Sequence, residues 1–421
     1  AQKNTRYRRY TNEELKMSEY KGIEFLRNKL TQKRGRIDLR YRFYEMKHFA
    51  KDMEISTPPK LRGWMSSFGW CGKAVDSLAD RLVLRGFEND TYGMSDIYLM
   101  NNLDVLADSA VLGALICACS FIYISQDDSG FPQMRVIDGR DATGVIDPIT
   151  NMLVEGYAVL ESDKVTGRPK VEVYLLPYET WLYEDGKHVS TFRHPAPYPL
   201  LVPVIYRPDA KRPFGHSRIT RACMDYQNSA ARTVKRSEIA AEFYSYPQKY
   251  VLGMDSDAER MDKWQATMSA MLRIDKDEDG DKPTVGQFQQ QSMAPHIEQL
   301  RMFAGLFAGE TGLTLDDLGF PSANPSSSEA IKAAHESLRL TARKAQRTLG
   351  IGFINAGYLA ACLRDGMDYK RNQIARTKVS WEPIFEPDIS AIGAVGDAVG
   401  KIQMAFPDYF TEDKLRDLTG I

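Results

Sequence analysis

The hydrophobic positions of this chain change their spacing from one region to the next, and the spacing predicts the secondary structure. In the first 118 residues, apolar side chains recur every three or four positions, which is typical of helices with one buried face. The predicted helices cover 11–51, 64–83 and 95–118. Thr57, Pro58 and Pro59 end the first helical segment with a rigid turn. The buried stripes of the other two contain Trp70, Val75, Leu78 and Leu82, and then Leu99, Leu103, Leu106, Val111 and Leu115.

From about 120 to 206 the spacing changes to two, which is typical of half-buried strands. The short runs FIYIS, MRVID, TGVID, KVEVYLLP and LVPVIYR are separated by turns rich in Gly, Asp and Pro. The chain to residue 212 is therefore predicted to form a body of helices and a mostly antiparallel sheet. Together with the helices that follow, this gives an α+β fold class that is mainly helical.

A long amphipathic helix is predicted over 215–243. It ends before Pro247, since the residue preceding a proline is disfavoured in the helical region. Its charged residues fall largely together, away from apolar residues of small or moderate size, which favours a helix packed beside equivalent copies over a core helix. The apolar side contains Ile219, Cys223, Tyr226, Ala230, Val234 and Ala241, and the charged positions are Arg218, Arg221, Asp225, Arg232, Lys235 and Arg236.

A small α/β insertion follows this helix. The pattern predicts a strand at 246–253, a helix at 257–272, and a turn and strand at 273–288. A second helix then starts near Pro295. Because two helices flank it, the insertion is expected to project from them. The apolar stripe of the second helix consists of Ile297, Leu300, Phe303, Leu306 and Phe307.

The last quarter of the chain opens with a loop predicted from Thr311 to Ser328, which is rich in Gly, Pro and Ser. Ser327 or Ser328 then caps a long helix to about Leu349, and a further helical piece covers 351–364. Trp381 lies near a predicted strand end, and short helices are predicted at 388–404 and 411–418.

Charge and cysteine content narrow the function classes. The 421 residues suffice for about two to three domains. The net charge of −1 argues against a high-affinity nucleic-acid binder, which would carry a basic excess. Residues 1–51 are nevertheless basic, as expected either for a solvated helical arm or for a surface that contacts nucleic acid or an acidic partner. Cys117 and Cys119 lie in an apolar run, 111–124, that is too short for a membrane span, and burial is favoured there over metal ligation.

Motifs with a defined chemistry are absent or incomplete. No GxxxxGK[ST] motif occurs, so no phosphate-binding loop of an ATPase is predicted. The acidic run Asp275, Asp277, Asp279 opens like a calcium loop, but Gly286 replaces its final glutamate, so an acidic surface turn is favoured. The six histidines are scattered, and the carboxylates of Asp316 and Asp317 are interpreted as loop charges. The sequence therefore predicts no catalytic residue, metal or cofactor.

Several phrases in fixed order carry a family resemblance over roughly residues 60–365. WCGKAVDSLADRLVLRGF, PFGHSRITRACMDYQNSAARTVKRSEIAAEFYSYPQKYVLG and ETGLTLDDLGFPSANPSSSEAI are similar to the portal proteins of tailed bacteriophages, in the branch with a Pro-Gln-[Arg/Lys]-Tyr-Val segment after the first stem helix. The resemblance implies a portal fold with these parts: an arm and wing (1–212), stem helix 1 (213–245), a clip (246–292), stem helix 2 (293–311), a tunnel loop (312–328), a long wing helix (329–349) and a helical crown (350–421).

The resemblance also implies function and partners. Portals are non-enzymatic rings of twelve copies at one capsid vertex of the virion, assembled in the host cytoplasm, through which duplex DNA is packaged and ejected with weak, non-specific contact. The implied partners are the terminase large subunit, a head-tail adaptor, and the major capsid and scaffolding proteins, with no membrane. Two other classes remain open: a subunit of a nucleic-acid-processing enzyme and a shell-forming coat protein.

The resemblance places functional residues in three groups. The DNA-facing tunnel loop would present Asp316, Asp317, Asn324, Ser326, Ser327 and Ser328. The intersubunit surface of the stem would contain Arg218, Ile219, Arg221, Asp225, Tyr226, Arg232, Val234, Leu300, Phe303 and Phe307. The clip would dock partners through Tyr250, Asp275, Asp277 and Asp279.

Overall fold

The chain folds into two compact units of mixed helix and sheet. The computed structural model describes residues 20–51, 57, 59, 62–163, 165–245, 249–252, 284–287, 292–321, 328–385 and 389–406. One unit comprises Ala1–Glu45, Cys71–Thr220 and Ser326–Ile421, and the other comprises Met46–Trp70 and Arg221–Pro325.

The helices and strands are numbered here in chain order. The helices are α1 (Ile23–Tyr44), α2 (Trp70–Ala79), α3 (Met94–Met100), α4 (Leu103–Cys117), α5 (Arg221–Ser245), α6 (Ala294–Thr311), α7 (Ser328–Ala334), α8 (Glu336–Asp365) and α9 (Ile389–Ala405). The strands are β1 (Leu84–Glu88), β2 (Cys119–Gln126), β3 (Pro132–Ile137), β4 (Ala142–Ile146), β5 (Leu153–Ser162), β6 (Pro169–Leu176), β7 (Glu179–Glu184), β8 (Lys187–Arg193), β9 (Leu201–Ile205), β10 (Lys249–Leu252), β11 (Thr284–Gln287) and β12 (Lys378–Trp381).

The first unit contains a five-stranded antiparallel sheet of order β4-β5-β6-β7-β8, with α1 packed against it. Leu26 and Leu30 of α1 share a hydrophobic cluster with Tyr157 and Tyr174 of the sheet. The carboxylate of Glu155 accepts hydrogen bonds from the backbone N–H groups of residues 21 and 22, at 3.0 and 3.1 Å. A negative charge at this helix end is favourable because the first N–H groups lack helical partners.

A second layer of the same unit is built from the three-stranded sheet β3-β2-β9, α4 and the 30-residue helix α8. Helix α8 approaches β9 most closely at Gly352. A Cβ on Gly352 would lie 2.9 Å from the carbonyl oxygen of Pro203, so only glycine allows this close approach. Leu349, Gly350, Gly352 and Phe353 are buried, as is every residue from Asn355 to Leu363, so this half of the helix lies in the core of the unit.

Several predicted boundaries are wrong. The separation of a wing helix from a crown at residues 349 and 350 falls inside the uninterrupted helix α8. The single helix predicted over 95–118 is divided into α3 and α4, because Asn102 adopts a left-handed conformation, with φ of 55°. The first helix ends at Tyr44, two residues before Met46 takes φ of 58°. The helix predicted over 64–83 is limited to Trp70–Ala79.

The first unit also contains the apolar helices that come nearest to membrane-span composition. Within the described part of the chain, no single helix is long and apolar enough to cross a membrane, and α3 and α4 meet that criterion only as a pair bent by 89°. Most of α4 is buried in the core of the unit.

Candidate functional site

The segment that precedes α5 is hydrogen-bonded to the end of α4. Helix α5 begins at Arg221, whereas the sequence predicts a start at residue 215. The hydroxyl of Ser217 donates to the carbonyl of Ile116 at 2.6 Å, and the backbone N–H of Arg218 donates to Leu115 at 2.8 Å. These bonds satisfy the last carbonyls of α4, which have no helical partners. Residues 217–219 therefore belong to the first unit, where Ile219 is buried and Arg218 donates to the carbonyl of Ala74.

In the second unit, the segment 62–70 lies along α5. Gln227 donates to the carbonyl of Phe68 at 2.7 Å, and Ser66 donates to the carbonyl of Ala231 at 2.9 Å. The ammonium of Lys235 reaches the carbonyl of Arg62 at 3.2 Å. Part of the charged side of α5 that the sequence assigned to solvent or to neighbouring copies is therefore covered by the chain itself.

Helices α5 and α6 pack along each other. The hydroxyl of Thr233 donates to the side-chain oxygen of Gln299 at 3.2 Å, which joins the two helices. The ring of Phe307 is fully buried and lies 5.5 Å from that of Trp70, between ring centroids. Since Phe307 contributes to the core of its own unit, its side chain has no surface left for a neighbouring copy.

Apolar side chains remain exposed on the opposite side of α6. Met302 and Leu306 are 51% and 46% exposed. Gly305 and Gly309 lie on the same side, and a Cβ on either would meet no other atom within 4 Å. We call these four residues the α6 outer face. Ile297, in the first turn of α6, is also exposed but lies on the other side of the helix. A helix that is apolar on both sides but solvated on one is expected to have a partner there.

The residues of α6 that the sequence assigned to contact with a neighbour lie on the less exposed side of the helix. Leu300 and Phe303 are half-buried and Phe307 is fully buried. The sequence analysis did not single out a second row on this helix, which consists of Met302, Gly305, Leu306 and Gly309. On α5, Tyr226, Arg232 and Val234 are half-buried, whereas Arg221 and Asp225 are exposed.

The loop after α6 is ordered by its own polar groups. Gly312 ends α6 with a left-handed conformation, φ 71°, and donates its N–H to Ala308 at 2.8 Å. The carboxylate of Asp317 accepts from both the backbone N–H and the hydroxyl of Thr314, each at 2.9 Å. Asp317 is thus a local cap of the 3-10 turn Asp316–Leu318, while Asp316 is exposed. Asn324, Ser326 and Ser327 lie outside the described residues, and Ser328 begins α7.

Between α5 and α6 the described residues form a two-stranded hairpin. Strands β10 and β11 pair antiparallel, with Tyr250 opposite Gly286. The predicted partner-docking residues Asp275, Asp277 and Asp279, and the predicted helix at 257–272, lie outside the described residues. Where the structure describes side chains, no group of three or more His, Cys, Asp or Glu residues could hold a metal ion.

Comparisons with known proteins show similarity to phage portal proteins. A family model described as "Phage portal protein, SPP1 Gp6-like" matches residues 23–392. The portal protein of Mycobacterium phage L5 is 26% identical over 382 residues, which are 86% of this chain and 77% of that protein. The portal protein of Mycobacterium phage D29 is 26% identical over 381 residues, with the same coverage.

Chains of gene transfer agent particles align with most of this chain. A chain from the virion of a native particle aligns with a TM-score of 0.44 and 13% identity, covering 84% of this chain and 89% of that one. A chain from the neck of an empty particle, computed with C6 symmetry, aligns with a TM-score of 0.45 and 12% identity, covering 84% and 90%.

Proposed function

This chain belongs to the SPP1 Gp6-like phage portal protein family, and we propose that twelve copies form a ring at one vertex of a phage head, through which duplex DNA is packaged and later ejected. The observation that carries this proposal is the family match, which extends over residues 23–392 and so includes both compact units. The ring is a component of the virion and assembles in the host cytoplasm.

The α6 outer face supports a ring contact. In a cyclic ring, each copy uses two different surfaces, one toward each neighbour. The exposed side chains of Met302 and Leu306 on the α6 outer face supply one such surface, and its two glycines let another backbone approach closely. Arg221 and Asp225 on α5 are exposed and are proposed to add polar contacts between neighbouring copies. This assignment replaces Ile219 and Phe307, which are buried within their own chain.

Weak contact with DNA follows from the charge of the chain. A surface that clamps many phosphates binds DNA with strong salt dependence and resists sliding. The net charge of −1 and the exposed carboxylate of Asp316 in the loop after α6 do not favour tight binding of phosphates. The loop 312–328 is proposed to face the DNA, with Asp316 rather than the capping Asp317 exposed toward it.

The remaining roles concern partners. The hairpin of β10 and β11, with the segment between its strands, is proposed as the docking site for the terminase large subunit and then for the head-tail adaptor. The first unit would meet the major capsid and scaffolding proteins. The polypeptide itself is proposed to break no bonds, so the energy for packaging comes from the terminase.

Negative-stain images of the purified chain distinguish this proposal from its alternatives. Annular particles with a central opening are expected. An enzyme subunit would give small globular particles, and a coat protein would give closed shells. Either of these two results would overturn the proposal. As a further test, deletion of 255–283 should preserve rings and remove adaptor binding, whereas loss of the rings would refute the assignment of this segment to docking.

A further inference from the structure

A small basic cavity lies in the first unit beside α1. Its volume is about 350 Å³, and it is lined on one side by α1 and on the other by residues 117–119 and 212–215. Four cations of α1, Lys29, Lys33, Arg36 and Arg40, recur at intervals of four, three and four and so lie along one helix face. Arg212 supplies a fifth from the opposite wall. A merely solvated basic helix would point these groups away from the protein body.

The cations of this cavity are held by neutral acceptors. Lys29 donates to the carbonyl of Gly144, and Lys33 donates to that of Ala142, both at 2.7 Å. Arg40 donates to the carbonyl of Cys117 at 3.2 Å. A carbonyl satisfies a hydrogen bond but does not neutralise a charge. Among the described residues that line the cavity, none is an aspartate or glutamate.

The acidic groups near the cavity have partners of their own. Asp138 accepts from the hydroxyl of Tyr41 and from the backbone of residue 140. Glu155 accepts from the first N–H groups before α1, and Asp209 pairs with His216 at 2.6 Å. On the outer side of α1, Arg34 pairs with Asp141 and Arg140 pairs with Asp38. Asp138 and Glu155 keep their negative charges, because their donors are neutral. The five cations that line the cavity outnumber them, so positive charge is in excess locally, although the chain as a whole is nearly neutral.

The pKa shifts agree with this excess. Burial, with a smaller contribution from the charge of Lys29, lowers the pKa of Lys33 to about 8. Burial, together with the positive charges of Arg36 and Arg212, lowers the pKa of Arg40. A lowered pKa means that the charged form of Lys33 or Arg40 is less stable at this site than in water, and a bound anion would stabilise it.

We propose that this cavity binds a phosphate group of a small anion. Phosphate offers more acceptor oxygens than a carboxylate, whose two oxygens a single arginine fork can satisfy. Here two lysines and three arginines line the two walls, with more donors than a carboxylate can use. The volume excludes a duplex, which could present only a backbone phosphate to Arg36 at the exposed mouth. The small volume therefore favours a free phosphate or polyphosphate.

The test is calorimetric titration of the full chain with tripolyphosphate at constant ionic strength, with inorganic phosphate, a single-stranded oligonucleotide and a glutamate-rich peptide in parallel. Saturable binding of tripolyphosphate is expected. Arg36→Gln and Lys33→Gln should each weaken it about tenfold or more, since a hydrogen bond to a charged group is lost. Arg168→Gln, at an exposed turn outside the cavity, is the matched control and should leave the affinity unchanged.

The parallel titrations separate the sources of phosphate. Preference for tripolyphosphate would support a free anion, and tighter binding of the oligonucleotide would support a strand phosphate at the same site. No saturable binding, an equal effect of Arg36→Gln and Arg168→Gln, or binding of the peptide alone would overturn the proposal. Because Arg36 is exposed, its variant keeps the test valid even if Lys33→Gln fails to fold.

Discussion

Replacement of Leu306 by aspartate is expected to prevent ring assembly while leaving the subunit folded. Leu306 is 46% exposed on the α6 outer face, so about half of its surface is available to a neighbour. Complete burial of a leucine contributes about 1.5–3 kcal/mol, and half of it therefore about 1 kcal/mol. An unpaired polar group in an apolar contact costs a further ~3 kcal/mol, and more when it is charged. The sum, about 4 kcal/mol, lowers each pairwise association constant about a thousandfold.

Sedimentation velocity over a concentration series measures this effect. The unmodified chain should sediment as a large, narrow species, and Leu306→Asp should sediment mainly as a monomer with an unchanged circular dichroism spectrum. The control is Val165→Asp, which changes a side chain that is 94% exposed at the turn between β5 and β6. Rings of Leu306→Asp that persist at the concentrations of the unmodified chain would refute the assignment of the α6 outer face to subunit contact.

Three further predictions concern the stability of the subunit. Gly352→Ala should lower the free energy of unfolding by about 1–3 kcal/mol, because the new Cβ would lie 2.9 Å from the carbonyl oxygen of Pro203. A denaturant titration measures this change. Unchanged stability would show that α8 and β9 can move apart at this position. Burial lowers the pKa of His194 to about 4, so between pH 6.5 and 4 the unfolded chain binds more protons than the folded chain. The free energy of unfolding should therefore fall as pH decreases through that window, by at most about 3 kcal/mol. His194→Gln should flatten this pH dependence, and an unchanged pH dependence in the variant would contradict the shift. Asp317→Ala should cost about 1 kcal/mol of thermal stability through loss of the cap on Thr314, and Asp316→Ala should cost less; equal effects would contradict the capping role.

The spacing of apolar residues correctly predicted the change from helices to strands near residue 120. This was possible because a helix or a strand with one buried face shows its period directly in the local sequence. The break between α3 and α4 was missed because it depends on the left-handed conformation of Asn102, within a continuous apolar pattern. The sequence analysis also failed to predict that α8 is one continuous helix. Gly350 and Gly352 resemble a helix end in sequence, but in the fold they provide room for Val379 and for the backbone of β9.

The candidate site was harder to predict because its surfaces are created by long-range contacts. Nothing local to 62–70 indicates that this segment covers α5, or that Ser217 serves the end of α4. These contacts decide which side of each stem helix remains exposed. The apolar outer face of α6, with Met302 and Leu306, could have been detected as a second stripe on a helix that already had one.

A cryo-EM reconstruction of the purified assembly tests most directly whether copies of the chain join around an opening. We expect annular particles of twelvefold symmetry in which Met302 and Leu306 of each copy are covered by a neighbour. Particles without a central opening, or rings in which both side chains remain in solvent, would contradict the proposed architecture.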